Sequence, residues 1–100
     1  MDIKKRRNLF AKVLAARLKE AAEEKGITQR ELGKATGTTA KQINMYLNGI
    51  RILPTDFYSR ICTAIDRDPA EIVNRAYQDL LDLEAGKRLD PHIIPVWKLA

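Results

Sequence analysis

Cysteine is nearly absent: Cys62 stands alone among 100 residues. A single thiol forms no internal disulfide, and a reducing, cytoplasmic setting fits. Long apolar runs are missing too, since none approaches the ~20 residues that span a bilayer. No membrane partner is therefore expected. The start, MDIKKRRNLFAKVLAARLKE, has a basic cluster followed by apolar residues, in the manner of a signal peptide. Lys12 and Arg17 interrupt that apolar stretch and Glu20, Glu23 and Glu24 follow at once, so it reads as a helix with a basic lead-in. Histidine occurs once, as His92, and neither it nor Cys62 has a second ligand at metal spacing. No metal and no cofactor are expected. The chain also lacks a His/Asp/Ser grouping, a phosphate-cradling glycine loop and paired carboxylates in an apolar setting. No catalytic residue is expected, and the protein is not read as an enzyme. Internal repeats, low-complexity tracts and strand-like alternation are likewise missing.

What is present suits one small domain with a single modest core. Hydrophobic residues make up 45% and charged residues 31% of the chain, which excludes wholesale disorder. The net charge is +5, unevenly spread. Residues 1–51 hold 12 Lys/Arg against 5 Asp/Glu, a net of +7, whereas residues 52–100 hold 6 against 8, a net of −2. A basic half points to a polyanion, either nucleic acid or an anionic membrane surface.

Helical punctuation is frequent. Phe10, Leu14, Leu18 and Ala21 recur at helical spacing, predicting a first helix from about Asn8 to Lys25, closed by Gly26. TQRE, Thr28 to Glu31, is a capping box that opens a short second helix with Leu32 and Ala35 inward, ended by Gly37. TAKQ, Thr39 to Gln42, is a second possible box opening a third helix to Asn48, with Gly49 as its stop. Thr55 can cap a fourth helix with Phe57, Ile61, Ala64 and Ile65 on one face. Asp68-Pro69 starts a fifth, whose stripe is Ile72, Val73, Ala76 and Leu80 and which ends near Gly86. The remainder, KRLDPHIIPVWKLA, holds two prolines and is expected to be an extended apolar tail.

Two short helices joined by a turn of about three residues, the second with a polar face, make a helix-turn-helix over residues 28–48. At 100° steps, Ile43, Tyr46 and Leu47 fall inward. Ala40, Lys41, Asn44, Met45 and Asn48 fall on the other side. A major groove admits one helix, and base edges demand such side chains: Lys41 suits guanine, Asn44 suits adenine, and Ala40 or Met45 can touch a thymine methyl. Gln42 either completes the second capping box or reads a base. Cys62, on the apolar side of the fourth helix, is read as a core thiol.

Here ITQRELGKATGTTAKQINMYLNGIRIL resembles the Cro and lambda-repressor type of helix-turn-helix domain, also called XRE-like. The likeness runs from about Leu14 to Ile72. It implies a compact all-α, five-helix lambda-repressor-like bundle over residues 8–86, flanked by a basic N-terminal arm (1–7) and the tail (87–100). It implies base contacts by Ala40, Lys41, Gln42, Asn44 and Met45. It also implies that Gln29 bonds a phosphate and braces the first recognition-helix residue. Thr39, Asn48 and the amides near Gly49 and Ile50 would meet phosphates. Arg51 is placed near the backbone or minor groove. Lys4, Lys5, Arg6 and Arg7 are read as an arm around the duplex, as phosphate contacts at the start of the first helix, or as a solvated tail. The family usually has Ala where Gly33 stands, and glycine there costs about 1 kcal/mol of helix propensity. Many relatives have Gln where Ala40 stands.

The expected function is a sequence-specific double-stranded DNA-binding regulator of bacterial or phage origin. It is read as a repressor, cytoplasmic and nucleoid-associated, binding a palindromic operator as a homodimer. Leu80, Leu81, Leu83 and the HIIPVW tail supply more apolar surface than so small a core requires. The tail either folds back on its own domain or pairs with a second chain, which makes this the candidate dimer surface. The alternative is an antitoxin or adaptor whose residues 87–100 bind a partner protein.

Overall fold

The punctuation in the sequence becomes five helices in the computed structural model, which describes residues 3–86. They are α1 (Ile3–Lys25), α2 (Gln29–Thr36), α3 (Ala40–Leu47), α4 (Thr55–Ala64) and α5 (Pro69–Glu84), with no strand among the described residues. The all-α expectation holds. The expected tail, residues 87–100, lies outside the described residues.

α1 begins at Ile3 rather than near Asn8, so Lys4 to Arg7 lie on its first turns. Lys and Arg are good helix formers, and nothing in IKKRRNLF breaks a helix. Its buried residues, including Val13, Ala16, Leu18 and Ala21, pack chiefly against α5 and also touch α3. α2 has the full capping box: Thr28 accepts from the Glu31 amide at 3.0 Å and the Glu31 carboxylate accepts from the Thr28 amide at 3.2 Å. It buries Leu32, Gly33 and Thr36, while Ala35 is exposed, correcting the expected inward pair. Thr36 turns inward because its hydroxyl donates to the Leu32 carbonyl at 2.8 Å, so its polar atom is satisfied within the helix. Gly37 then ends α2 in the left-handed region, at φ 82°.

α4 is capped differently from expectation. Pro54 occupies the cap without a side-chain bond and Thr55 is already helical. Ile61 and Ile65 are buried as expected, but Tyr58 and Cys62 complete the inner face while Phe57 and Ala64 are only half-buried. Tyr58 is drawn inward because its hydroxyl donates to the Pro69 carbonyl at 2.5 Å. Burial pushes the Cys62 thiol up from its ordinary pKa, as suits a core thiol. On α5, Asp68 caps the Ala70 amide at 3.0 Å and Pro69 takes the first turn. Ile72, Ala76 and Leu80 are buried and Val73 half-buried.

The main core gathers Leu18, Leu32, Ile43, Leu47, Ile61 and Ile72 from all five helices. A second cluster, Val13, Ala16 and Ala76, lies between α1 and α5, with Leu83 packed on it. Leu80 and Leu83 are therefore taken up inside the domain, and of the three leucines expected to be spare only Leu81 is exposed, at 37%.

Candidate nucleic-acid interface

The third helix is held at both ends by its own sequence. The Thr39 hydroxyl accepts from the Gln42 amide at 3.1 Å, satisfying one of the amides that open a helix. At the other end the Met45 carbonyl accepts from the Ile50 and Arg51 amides at 3.0 and 3.2 Å, with Gly49 at φ 69°. Ile43, Tyr46 and Leu47 anchor the inner face. α3 is therefore fixed in rotation as well as in place.

The turn before it is tight. A Cβ on Gly33 would lie 2.9 Å from the Thr38 carbonyl oxygen and 3.0 Å from the Thr39 carbonyl carbon. The absent side chain lets the backbone leading into α3 rest directly on α2. This is the physical counterpart of the propensity that glycine gives up at this position.

With α3 so held, Lys41 and Asn44 stand exposed, three residues apart on one face, with Ala40, Gln42 and Met45 half-buried beside them. Two side chains differ from expectation in what they touch. The second capping box is half made, because the Gln42 amide group turns away from Thr39 and donates to the Tyr46 hydroxyl at 2.8 Å. Gln29 braces Asn44 rather than Ala40, its carbonyl accepting from Asn44 Nδ2 at 3.3 Å. Alanine has no polar group to offer, so the glutamine bonds the next polar side chain on that face.

The far end of α3 is a hydrogen-bonded corner. Lys19 Nζ donates to Asn48 Oδ1 at 2.9 Å, and Asn48 Nδ2 donates to the Asn44 carbonyl at 2.8 Å. The amides of Gly49 and Ile50, which the resemblance offers to phosphates, are engaged by the Tyr46 and Met45 carbonyls at 3.2 and 3.0 Å. Thr39 and Arg51 are exposed and Asn48 and Gly49 half-buried.

The basic cluster divides. Lys4, Lys5 and Arg7 are exposed on the start of α1, whereas Arg6 pairs with Glu84 at 2.8 Å and stacks over the Tyr77 ring. That pair ties the first turns of α1 to the last turn of α5, so Arg6 is engaged within the fold.

Sequence reasoning missed two cations. Asn8, Lys12, Ala15 and Lys19 fall at i, i+4, i+7 and i+11, one face of α1. Lys12 lines a cleft of about 160 Å³ together with Tyr46, Gly49 and Arg51, and Lys19 bonds Asn48. The spacing was present in the sequence, but only the packing shows that this stripe borders α3. Also missed was Asp79, a buried carboxylate on α5 that accepts from Arg17 Nε and Nη2 at 2.5 and 2.8 Å. Those bonds raise the Arg17 pKa above its ordinary value and keep it charged.

Among the described residues no His/Cys/Asp/Glu group is placed to hold a metal, and no helix is long and apolar enough to cross a membrane. The helix-turn-helix family matches residues 18–72, more than half of the chain and all of the helix-turn-helix geometry above. No curated protein and no solved structure matches the chain.

Proposed function

Because the chain belongs to the lambda-repressor-type, XRE-like helix-turn-helix family, whose members are DNA-binding regulators, we propose that it is a repressor that binds a palindromic operator as a homodimer. The observation that carries this is the fixed outer face of α3. Lys41 and Asn44 are exposed on a helix locked by its cap, its stop and three buried anchors. A helix so held offers its donors and acceptors to base edges without first having to be ordered, and Lys41 with guanine and Asn44 with adenine are the pairings such edges favour. Ala40 and Met45 add apolar contact to thymine methyls, and Thr39, Asn48 and Arg51 flank them toward the phosphates. Gln29 acts through Asn44, whose amide it orients. Gln42, bonded to Tyr46, serves the shape of the helix first and reaches a base only by leaving that hydroxyl.

The homodimer follows from information content. One recognition helix reads about 4–5 base pairs, and two helices ~34 Å apart on a two-fold axis double the site. Among the described residues the exposed large apolar side chains are Ile3, Ile50, Ile52, Tyr77 and Leu81, and of these Tyr77 and Leu81 lie on α5, the helix proposed for such pairing. A repressor bound to DNA works at the nucleoid, in the cytoplasm. Selection of bound sites from random duplex DNA tests the proposal. A short palindrome preferred by ~10³-fold or more over random sequence is expected, with affinity falling steeply with salt. If no motif is enriched, while truncation after Gly86 abolishes a complex with another protein, the chain is an adaptor or antitoxin instead.

A further inference from the structure

We infer that the Asn8–Lys12–Lys19 face of α1, an element outside the helix-turn-helix, is a second phosphate-contacting surface, with Lys12 and Lys19 as its two cations and Asn48 as the residue that positions Lys19. The inference rests on the DNA-binding function proposed above.

Four observations lead to it. First, both lysines border the end of α3 where the chain would meet the DNA backbone. Lys19 reaches Asn48 at 2.9 Å, and Lys12 shares a cleft with Gly49 and Arg51. Second, the neutral donors of that corner are already engaged: Asn48 Nδ2 on the Asn44 carbonyl, and the Gly49 and Ile50 amides on carbonyls of α3. The charged donors bordering that corner from α1 are Lys12 and Lys19. A lysine ammonium has three protons, and the Asn48 bond uses one of those on Lys19.

Third, neither lysine takes part in the ion pairs of the fold. Those found among the described residues join Arg6, Arg17, Arg60, Arg67 and Arg75 to carboxylates of Asp56, Asp79, Glu20, Glu24, Glu71 and Glu84. The Lys12 and Lys19 charges are thus left to an outside anion. Fourth, both are half-buried, and the Lys19 ammonium is already held by its bond to Asn48. A cation already ordered loses less side-chain entropy when it binds a phosphate than a freely rotating one. The partner this chemistry fits is the regularly spaced phosphate of a duplex strand running past α3 toward α1.

Asn48 then has a role other than direct contact. Its carbonyl oxygen holds the Lys19 ammonium beside the end of α3, where the helix dipole also favours a cation. A purely structural lysine at a helix end would change stability on removal and leave the salt dependence of DNA binding untouched. A phosphate ligand would change the salt dependence.

The experiment measures affinity for a short duplex of arbitrary sequence by fluorescence anisotropy, between about 50 and 200 mM salt. The wild-type chain is compared with Lys12→Gln/Lys19→Gln, with the charge-preserving Lys12→Arg/Lys19→Arg, and with Lys25→Gln. Lys25 is also on α1 but lines a different hollow beside Glu24 and Asp66, so it controls for net charge alone. The double Gln variant is expected to lower the slope of log affinity against log salt by about 1.8, about 0.9 for each phosphate that is no longer neutralised. The double Arg variant should keep the wild-type slope, and so should Lys25→Gln. Asn48→Ala should weaken binding with the slope unchanged, since the charges remain but one is no longer held. An unchanged slope in the double Gln variant, or a change in Lys25→Gln as large per charge removed, overturns the inference while wild-type binding stands. If the wild-type chain shows no salt-dependent binding, the DNA-binding proposal falls, and this inference with it.

Discussion

Replacing Asp79 with alanine is expected to loosen the docking of α5 on α1, the most extensive helix pairing in the domain. Asp79 is only 4% exposed, and both of its oxygens are bonded to Arg17. Breaking a buried pair by removing one partner costs about 3–5 kcal/mol, because the other charge is left uncompensated in a poorly solvated site. Here the survivor is not fully buried. The Arg17 side chain keeps 21% of its exposure and has a second carboxylate, Glu20, at 3.5 Å. Water and Glu20 absorb part of the orphaned charge, so the expected loss is about 2–3 kcal/mol. In a domain of this size that lowers the melting midpoint by about 10–20 °C. Urea unfolding followed by circular dichroism, on Asp79→Ala, Arg17→Ala and the double variant, measures both the loss and the coupling. The double variant should lose less than the sum of the singles, since removing both partners leaves no uncompensated charge. Arg17→Met with Asp79→Leu should recover most of the stability by filling the same space with apolar atoms. If Asp79→Ala loses less than about 1 kcal/mol and the coupling is near zero, the pair behaves as a surface ion pair. α1 and α5 would then be held by Val13, Ala16 and Ala76 without it.

Gly33→Ala should not gain the roughly 1 kcal/mol that helix propensity promises, because the new Cβ meets the backbone of Thr38 and Thr39 at 2.9–3.0 Å. Lower urea stability and weaker DNA binding are expected together, and a raised midpoint with unchanged binding would show that the turn yields freely. Lys41→Ala should cost about 1–3 kcal/mol in binding and relax preference at one base pair per half-site; unchanged affinity and preference would mean that α3 presents another face to DNA. Hydrogen bonding to Thr28, through its side chain first and then its backbone, holds the Glu31 carboxyl below its ordinary pKa. Its contribution to stability is therefore present above the unfolded carboxylate range and is lost as pH falls through the lowered folded value. Glu31→Gln should flatten the acid limb of stability against pH, and an unaltered limb would refute a role for the cap in acid unfolding.

Much of the fold was legible because its signals are local. Thr28 with Glu31, Thr39 ahead of α3, Asp68-Pro69 ahead of α5, and the glycines at 37 and 49 act within four or five residues. Their geometry survives whatever the rest of the chain does. The inner face of α3 was equally legible, since Ile43, Tyr46 and Leu47 leave only one way to bury the helix. Less legible were faces on which small or amphipathic residues compete. Ala35 lost its inward place to Thr36, whose hydroxyl is satisfied by its own helix. Phe57 yielded to Tyr58, whose hydroxyl finds the Pro69 carbonyl. In both cases a polar group that could bond locally was free to turn inward.

The sequence by itself determined five helices, where most of them start and stop, and that the third offers Lys41 and Asn44 outward. Helix period and end-capping are short-range physics, written in neighbouring residues. The tertiary structure alone decided that Arg17 meets Asp79, 62 positions away. It also decided that Gln29 braces Asn44, and that Lys12 and Lys19 of α1 stand beside the end of α3. Those are contacts between elements, and their partners depend on how the helices cross. No window of sequence short enough to be read locally contains that information.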